Sequence, residues 1–320
     1  MSKKYLPLAA TVAVFLALFL VGGSMYRNFL STLVLGNILA DNAFIIIAAI
    51  GATFVILSGG IDLSIGSMIG FVGVYMAVLD SMGWHPLATA AVMICFGILY
   101  GALQGFIIDY CDIQPFIVTL AGLFLLRGLC FMVTLESVPI RHDFVDLYAS
   151  AKLPLPGRGV LRSSALVMLA ALAVAIFIAH FTRFGNNVYA IGGDKESARL
   201  MGVNVRRTTV GIYAIGGFYS ALAGVVYALY TSSGYPLAGS TLELSAIAAV
   251  VLGGTLLTGG VGMVAGTLFG GMILGLISTL IIFHGSLNSA WIMISSGVLL
   301  FAFIVLHRFL VSSFDLRGSS

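Results

Sequence analysis

Charged residues are scarce in this sequence. Only 8% of the 320 residues are Asp, Glu, Lys or Arg, whereas 60% are hydrophobic. A soluble domain carries about 25% charged residues, which cover its exterior. The mean hydropathy of +1.12 therefore excludes a soluble globular protein and indicates a polytopic membrane protein surrounded by lipid. The net charge of +3 is too small to indicate a nucleic-acid partner.

Motifs for covalent, metal or nucleotide chemistry are also missing. The three cysteines, Cys95, Cys111 and Cys130, have no CxxC or CxxH spacing, which argues against a disulfide or a metal site. The chain contains no Gly-Lys pair and so cannot bind nucleotide phosphates through a P-loop. We therefore expect no catalytic residue, no metal site and no bound cofactor, and any ATP would be used by a partner chain.

Apolar runs long enough to cross a membrane recur along the whole chain. A spanning helix needs about 20 mostly apolar residues. By this measure the sequence predicts an all-α fold of about ten transmembrane helices in a single domain, residues 1–320. The spans are predicted near 6–24, 37–58, 65–79, 87–108, 115–135, 163–182, 209–231, 244–258, 263–283 and 290–306.

The basic residues predict the orientation of these spans. The first apolar run follows Lys3 and Lys4, and we interpret it as an uncleaved span that begins in the cytoplasm. An even number of crossings then places both termini in the cytoplasm. Two connections are long: residues 136–162 on the outside and residues 183–208 on the inside.

The stretch "LSGGIDLSIGS" (57–67) places two glycines and a carboxylate between apolar runs. A similar stretch, "LTGGVGMVAGTLFG" (257–270), follows at a constant offset of 200 residues. Paired glycine-interrupted segments in the two halves of a transporter point to the substrate pathway. The sequence therefore predicts an internal repeat with broken or re-entrant helices, and leaves open whether the repeat is parallel or inverted.

Asp62 has no counterpart in the second copy, where Gly262 stands. A charged Asp at the centre of a membrane helix costs about 2.5–3.5 kcal/mol on insertion scales. Asp62 must therefore face a cavity, pair with a cation such as Arg127, or cap a helix that restarts at Leu63. An alternative class of function also follows from it: an ion-coupled secondary transporter that uses this carboxylate.

Candidate residues for a substrate pathway are those beside the two glycine pairs. A neutral, hydroxylated substrate suits a pathway with few charges that offers hydroxyl, amide and aromatic groups. The candidates are Asn37, Asn42, Phe44, Ser58, Gly59, Gly60, Asp62, Ser64, Gly259 and Gly260.

The inside connection contains a predicted short helix, "DKESARLMG" (194–202). Asp194 suits the N-cap, Glu196 suits the positive N-terminal end, and Gly202 suits the left-handed position after the last turn. A capped two-turn helix that projects into the cytoplasm is a surface that a motor subunit could bind. An ordinary solvated loop is the alternative.

Four stretches of the chain resemble one known family. "TFVILSGGIDLSIGS", "TLAGLFLLRG", "RFGNNVYAIGGDKESARLMGVNV" and "VVLGGTLLTGGVG" are similar to the ribose-type permease subunits of bacterial ABC sugar importers. The resemblance extends from Asn37 to about Arg308. Within the family, "NILADNAF", "LAGLFLLRG" and "ESVPI" look closest to one of the two permeases of the galactofuranose importer.

The resemblance implies a multi-pass permease of the bacterial inner membrane that imports galactofuranose or another pentose or hexose. A cytoplasmic ABC ATPase would hydrolyse ATP, and a periplasmic sugar-binding protein would dock on residues 136–162. A second permease subunit is implied, in a heterodimer for the galactofuranose importer or otherwise in a homodimer.

The resemblance also implies a coupling helix for the ATPase at Asp194–Gly202. Ser197 stands where the "EAA…G" loop of such permeases has its first alanine, so the match is partial. The implied coupling residues are Asp194, Glu196, Ala198, Arg199 and Gly202.

Overall fold

The computed structural model describes residues 6–285, 290–298, 301–302 and 305. The helices are α1 Leu6–Met25, α2 Thr32–Asp41, α3 Ala43–Leu57, α4 Ile65–Ser81, α5 Pro86–Tyr110, α6 Pro115–Val133, α7 Asp143–Ser150, α8 Ser163–Phe181, α9 Arg183–Gly193, α10 Lys195–Leu200, α11 Val205–Thr231, α12 Leu242–Leu252 and α13 Val264–His284. Residues 290–298, 301–302 and 305 are also helical. The strands are β1 Val138–Pro139, β2 Lys152–Pro154, β3 Val160–Arg162 and β4 Ser233–Gly234. The predicted all-α fold is confirmed.

Six helices in the described part of the chain are long and apolar enough to cross a membrane: α1, α5, α6, α8, α11 and α13. A seventh span is possible if α2 and α3, bent by 58°, cross together. The helices α4 and α12 are apolar but shorter, with 17 and 11 residues. The chain is thus a polytopic membrane protein, whereas the predicted number of ten spans is not confirmed. The last predicted span, 290–306, lies partly outside the described residues.

The helix α11 lies at the centre of the fold and packs against α3, α4 and α5. Glycines bring α5 close to it: a Cβ at Gly97 or Gly101 would overlap backbone atoms of α11, and one at Gly105 would press against them. Small residues four positions apart let two helix backbones approach closely in lipid. The glycine stripe of α5 therefore serves helix packing, which fixes α5 firmly on the central helix.

Residues 136–162, predicted as an external loop, form an ordered cap on several helix ends. The strand β1 pairs antiparallel with β4, which follows α11, and β2 and β3 form a hairpin. The backbone N–H of Arg141 donates to the Asp80 carboxylate near the end of α4 at 2.9 Å. His85 and His142 cap α5 and α7, and their ring centroids lie 4.7 Å apart.

Residues 183–208 contain two short helices rather than the single predicted one. The unpredicted helix α9 begins after its N-cap Thr182. It leads through Asp194 directly into α10, which was predicted. Ile191, Ala198 and Val205 pack together between the two helices and the start of α11. We refer to α9 and α10 together as the inner hairpin.

Candidate functional site

The first helix break comprises residues 58–64, between α3 and α4. Gly59 has a φ of +81°, a conformation that glycine adopts without steric cost. The N–H of Gly60 returns to the Val55 carbonyl at 3.0 Å. The helix then restarts at Ile65, with Ser64 as its N-cap. The predicted break at the Gly-Gly pair is confirmed.

Asp62 lies within the first break and does not cap α4, whose N-cap is Ser64, so the capping alternative is wrong. Its buried carboxylate accepts hydrogen bonds from the N–H and the Oγ of Ser64, at 2.8 and 2.7 Å. Because α4 begins at Ile65 rather than Leu63, these bonds close a turn ahead of the helix. The predicted pairing with Arg127 is also absent: in the described residues, the ion pairs within 4 Å do not include Asp62.

A polar network continues from Asp62 to α5. The Nε2 of Gln104 lies 3.2 Å from the Ser64 Oγ and 3.3 Å from the Tyr100 hydroxyl. Gln104 is only 4% exposed. Buried polar side chains in membrane segments are costly and mark functional candidates. The sequence analysis missed Gln104 and Tyr100, although a lone amide in the apolar run of α5 was a usable signal.

The second helix break comprises residues 253–263, between α12 and α13. The sequence predicted a span that continues to residue 258, but α12 ends at Leu252. Gly253 is its C-cap, and Gly254 has a φ of +86°. Gly259 and Gly260 also have positive φ, at +85° and +73°. Both copies of the sequence repeat are therefore interrupted helices, although the second interruption is longer.

The two breaks contact each other. The N–H of Gly260 donates to the carbonyl of Leu57, the last residue of α3, at 2.8 Å. A Cβ at Gly259 would lie 2.7 Å from the Gly59 nitrogen. The two Gly-Gly pairs, which are 200 residues apart in sequence, thus form one junction.

The helix α3 separates the predicted pathway candidates into two groups. Asn37, Asn42 and Phe44 lie at or before its N-terminal end, and the candidates of the two breaks lie beyond its C-terminal end. A helix rises about 1.5 Å per residue, so α3, with 15 residues, holds the two groups about 22 Å apart. The structure therefore does not bring these candidates together in one compact site.

The outer group is built around the bend between α2 and α3. Asn42 stands at the bend, and its Nδ2 donates to the Ile38 carbonyl at 2.8 Å. A Cβ at Gly275 of α13 would overlap the Asn42 amide, so glycine makes room for it. Phe44 packs edge-to-face on Tyr227 of α11, with ring centroids 4.9 Å apart.

A cavity of about 300 Å³ opens beside the first break. It lies between that break, the connection from α5 to α6, and the start of α10. Its polar lining residues include Ser58, Asp112, Gln114, Lys195 and Tyr213. The structure thus places the inner pathway candidates next to the inner hairpin, a proximity that the sequence did not indicate.

The predicted caps of α10 are confirmed. The Asp194 carboxylate accepts a hydrogen bond from the Ser197 N–H at 2.6 Å. Bonds from Ser197 hold the pKa of the Asp194 carboxyl below its ordinary value, so the cap stays ionised at neutral pH. Gly202 has the left-handed φ of +84° expected after the last turn.

The residues of α10 face two directions. Ala198 is fully buried inside the hairpin and presents no surface to a partner. Glu196 and Arg199 form an exposed ion pair at 3.2 Å. Leu200 and Met201 are 88% and 72% exposed. The exposed end of the hairpin is therefore a small apolar surface beside a charged pair.

Asp109 at the end of α5 holds the inner hairpin against the membrane helices. Its side chain is 2% exposed, and its Oδ1 lies 2.8 Å from the Lys195 Nζ. Its Oδ2 lies 4.0 Å from the Nε of Arg206, whose guanidinium lies over the ring of Tyr110. Lys195 is half-exposed, whereas Asp109 is buried, so removing Lys195 is costly because the buried carboxylate loses its compensation. The sequence analysis did not identify this contact.

Arg127 of α6 binds the segment between β4 and α12. Its Nη1 donates to the carbonyls of Pro236 and Ala238, the latter at 2.8 Å. Gly70 of α4 makes room, because a Cβ there would lie 2.6 Å from the Ala238 oxygen. Non-helical backbone beside apolar helices needs partners within the protein, and Arg127 supplies two of them.

Within the described residues, no group of three or more His, Cys, Asp or Glu side chains could hold a metal ion. The architecture instead comprises apolar helices, two touching helix breaks and a capped inner hairpin. These features are those of a polytopic membrane protein with interrupted helices. Residues 34–304 match the family described as the permease component of the branched-chain amino acid transport system, and the chain belongs to this family.

The chain is also similar to named permeases over nearly its whole length. It is 50% identical to the inner membrane ABC transporter permease protein YjfF of Escherichia coli (strain K12), over 100% of this chain and 97% of that protein. It is 34% identical to the ribose import permease protein RbsC of the same strain, over 95% of each chain. The fructose import permease protein FruG of Bifidobacterium longum is 32% identical, over 96% of this chain and 92% of that protein.

No solved structure gives a significant match to the chain. The relatives confirm the resemblance to ribose-type sugar permeases. They also confirm that the chain is a transport component and not an enzyme, since the relatives are permease subunits. The chain is accordingly a multi-pass inner-membrane permease.

Proposed function

We propose that this chain is the transmembrane subunit of an ATP-driven, binding-protein-dependent sugar importer. The observation that carries the proposal is the position of α10. It is a capped helix with an exposed apolar end at Leu200 and Met201, and its Lys195 lines the cavity beside the first break. A partner that binds this end can therefore act on the helix break without entering the membrane.

Three partners follow from this function. A separate ABC ATPase binds the inner hairpin from the cytoplasm and hydrolyses ATP, so this chain needs no cofactor of its own. A periplasmic sugar-binding protein docks on residues 136–162, the ordered cap on the helix ends. A second permease subunit completes the pathway, either a different chain or a second copy. Both termini lie in the cytoplasm.

The proposed cargo is galactofuranose or a related pentose or hexose. Relatives that are about one-third identical are named as import permeases for ribose and fructose. The galactofuranose assignment is supported by the stretches "NILADNAF", "LAGLFLLRG" and "ESVPI". The amide and aromatic groups of Asn37, Asn42 and Phe44 at one end of α3, and the hydroxyls of Ser58 and Ser64 at the other, suit a hydroxylated sugar that passes along this helix.

An ion-coupled secondary transporter is the weaker alternative. Its coupling carboxylate would be Asp62, which is buried and has no ion-pair partner within the described residues. Its Oδ1 already accepts two hydrogen bonds from Ser64 within its own turn. Membership of a permease family with ABC relatives also favours the ATP-driven function.

Co-purification followed by a sugar panel tests the proposal. We expect the tagged permease to retain an ABC ATPase, and a periplasmic binding protein from the same gene neighbourhood to bind a furanose or pyranose sugar. D-Galactose, D-ribose and D-fructose form the first panel. A permease that retains no ATPase and takes up sugar only with a proton or sodium gradient would contradict the proposal.

A further inference from the structure

The contact between α9 and the two helix breaks has no role in the function described so far. We infer that α9 transmits movement of the inner hairpin to both breaks at once, and that Gly192 is the positioning residue at this junction. The inference rests on the proposed function, because it assumes that an ATPase moves α10.

Gly192 lies directly against the hydrogen bond that joins the two breaks. That bond runs from the Gly260 N–H to the Leu57 carbonyl at 2.8 Å. A Cβ at Gly192 would overlap the Leu57 oxygen and press on the Gly260 nitrogen. Only a residue without a side chain allows α9 to approach so closely. A displacement of α9 toward the junction must therefore move this bond or break it.

A second contact on the same face of α9 reaches the second break. The Tyr189 hydroxyl donates to the Gly262 carbonyl at 3.0 Å. Tyr189 lies three positions before Gly192, and residues at this spacing are neighbours on a helix surface. The helix α9 thus contacts the backbone of both breaks through one face.

The two helices of the inner hairpin are rigidly connected and should move together. Asp194 is the C-cap of α9 and also the N-cap of α10, so no linker separates the two helices. Ile191 and Ala198 pack together between them. Tightly packed interiors transmit displacement instead of absorbing it. A force applied at the exposed end of α10 therefore reaches Gly192.

The breaks can respond to this displacement because glycines form their flexible points. Gly59, Gly259 and Gly260 have left-handed φ values, and glycine changes between backbone regions without a Cβ clash. Hinges are a few residues that absorb such dihedral changes between rigid elements. Since α4 and α13 follow the two breaks, movement at the junction reorients both helices together.

Gly192 and Gly193 provide a matched pair of variants for the test. Gly192→Ala places a methyl group in the junction, whereas Gly193→Ala places one where nothing lies within 4 Å. Each variant is reconstituted in liposomes as the full complex with its ATPase and binding protein. The readouts are assembly of the complex, its basal rate of ATP hydrolysis, the increase in that rate when sugar-loaded binding protein is added, and sugar uptake. The sugar is the one among D-galactose, D-ribose and D-fructose that gives this increase in the wild type.

We expect Gly193→Ala to match the wild type in every readout. Gly192→Ala should assemble and keep basal ATP hydrolysis, but lose the stimulation and the sugar uptake. Stimulation in Gly192→Ala equal to that in Gly193→Ala would overturn the inference. A wild-type complex that no sugar stimulates would instead contradict the proposed function, so the two failures are distinguishable.

A second variant decides the matter if Gly192→Ala fails to assemble. Tyr189→Phe removes the hydrogen bond to Gly262 and adds no bulk. We expect at most a small fall in the melting temperature and a stimulated-to-basal ratio several times lower, in keeping with the loss of one hydrogen bond. Tyr26→Phe is the control, because the described residues show no hydrogen-bond partner for the Tyr26 hydroxyl. An unchanged ratio in Tyr189→Phe would overturn the inference.

Discussion

Two aspartates are buried in the described part of the chain, Asp62 and Asp109, and their carboxylates have different kinds of partner. Asp62 accepts hydrogen bonds from Ser64 two positions along the chain. Asp109 binds Lys195 of the inner hairpin across the fold. One carboxylate therefore shapes a local turn, and the other holds two elements together.

Replacing Asp62 tests whether its carboxylate stabilises the local turn or couples transport to an ion. Asp62→Asn keeps an acceptor oxygen for the Ser64 N–H, so we expect ATP-dependent sugar uptake within about threefold of the wild type. Asp62→Ala leaves Ser64 without that acceptor in a buried site, and uptake should fall by at least about tenfold. Uptake by membrane vesicles at matched expression measures both. Equal and complete loss in the two variants would support a coupling role of the charge instead.

Replacing Lys195 tests the attachment of the inner hairpin. Lys195→Met removes the cation that lies 2.8 Å from the buried Asp109 carboxylate, and we expect the free energy of unfolding to fall by about 1–3 kcal/mol. Glu196→Gln is the matched control, because it breaks an exposed ion pair with Arg199 that is worth about 0.5 kcal/mol or less. Thermal unfolding of the purified permease in detergent compares the two. Equal melting temperatures would contradict the account of Asp109.

At the scale of the element, Arg127 supports the irregular segment before α12 through the Pro236 and Ala238 carbonyls. Arg127→Met leaves these two acceptors without a donor, and we expect a loss of about 1.5–3 kcal/mol in the free energy of unfolding. Arg127→Lys retains a charged donor and should lose less. Denaturant unfolding in detergent measures the difference. A methionine variant as stable as the lysine variant would show that the contact contributes little.

The exposed end of the inner hairpin, at Leu200 and Met201, should be required for binding the ATPase. Leu200 and Met201 are exposed, so their joint replacement by serine costs little folding energy and removes an apolar contact. We expect the double variant to insert normally and to retain several times less ATPase on co-purification. Leu147→Ser in α7, which is 64% exposed, is the control and should retain the wild-type amount. Full retention by the double variant would place the ATPase contact elsewhere.

The elements differed in how far the sequence could predict them. The caps of α10 were predictable because Asp194 and Gly202 are local signals. The helix α9 was missed because its sequence, "RFGNNVYAIGG", holds three glycines, which disfavour helix. Packing of its buried face against the rest of the fold stabilises it instead. The end of α12 was misplaced because the apolar run continues past Gly254 and hydropathy does not register the turn.

The candidate site could be predicted from the sequence only in part. The Gly-Gly pairs were found because they repeat at a fixed offset, and this spacing says nothing about distance in space. Their mutual contact, and the contact of Gly192 with them, depend on the packing of α3, α9 and the second break. The contacts of Gln104 with Ser64, and of Arg127 with Pro236 and Ala238, were missed for the same reason, since these partners lie far away in the sequence.

At the scale of the whole molecule, the candidate functional features lie at the two ends of α3. Asn42 and Phe44 stand at one end of α3, and the junction of the two breaks stands at the other. The inner hairpin lies directly against that junction. In the proposed function, a partner that acts on the hairpin would act at the junction, about 22 Å from Asn42 and Phe44.

The most direct test of this account is ATP-dependent sugar transport by the reconstituted complex. Proteoliposomes with the permease, its ATPase, any second permease and the sugar-loaded binding protein should take up radiolabelled sugar when the ATPase is supplied with ATP. Uptake should stop when the ATPase is omitted and should persist when ion gradients are collapsed. Uptake that continues without ATP and follows a proton or sodium gradient would contradict the account.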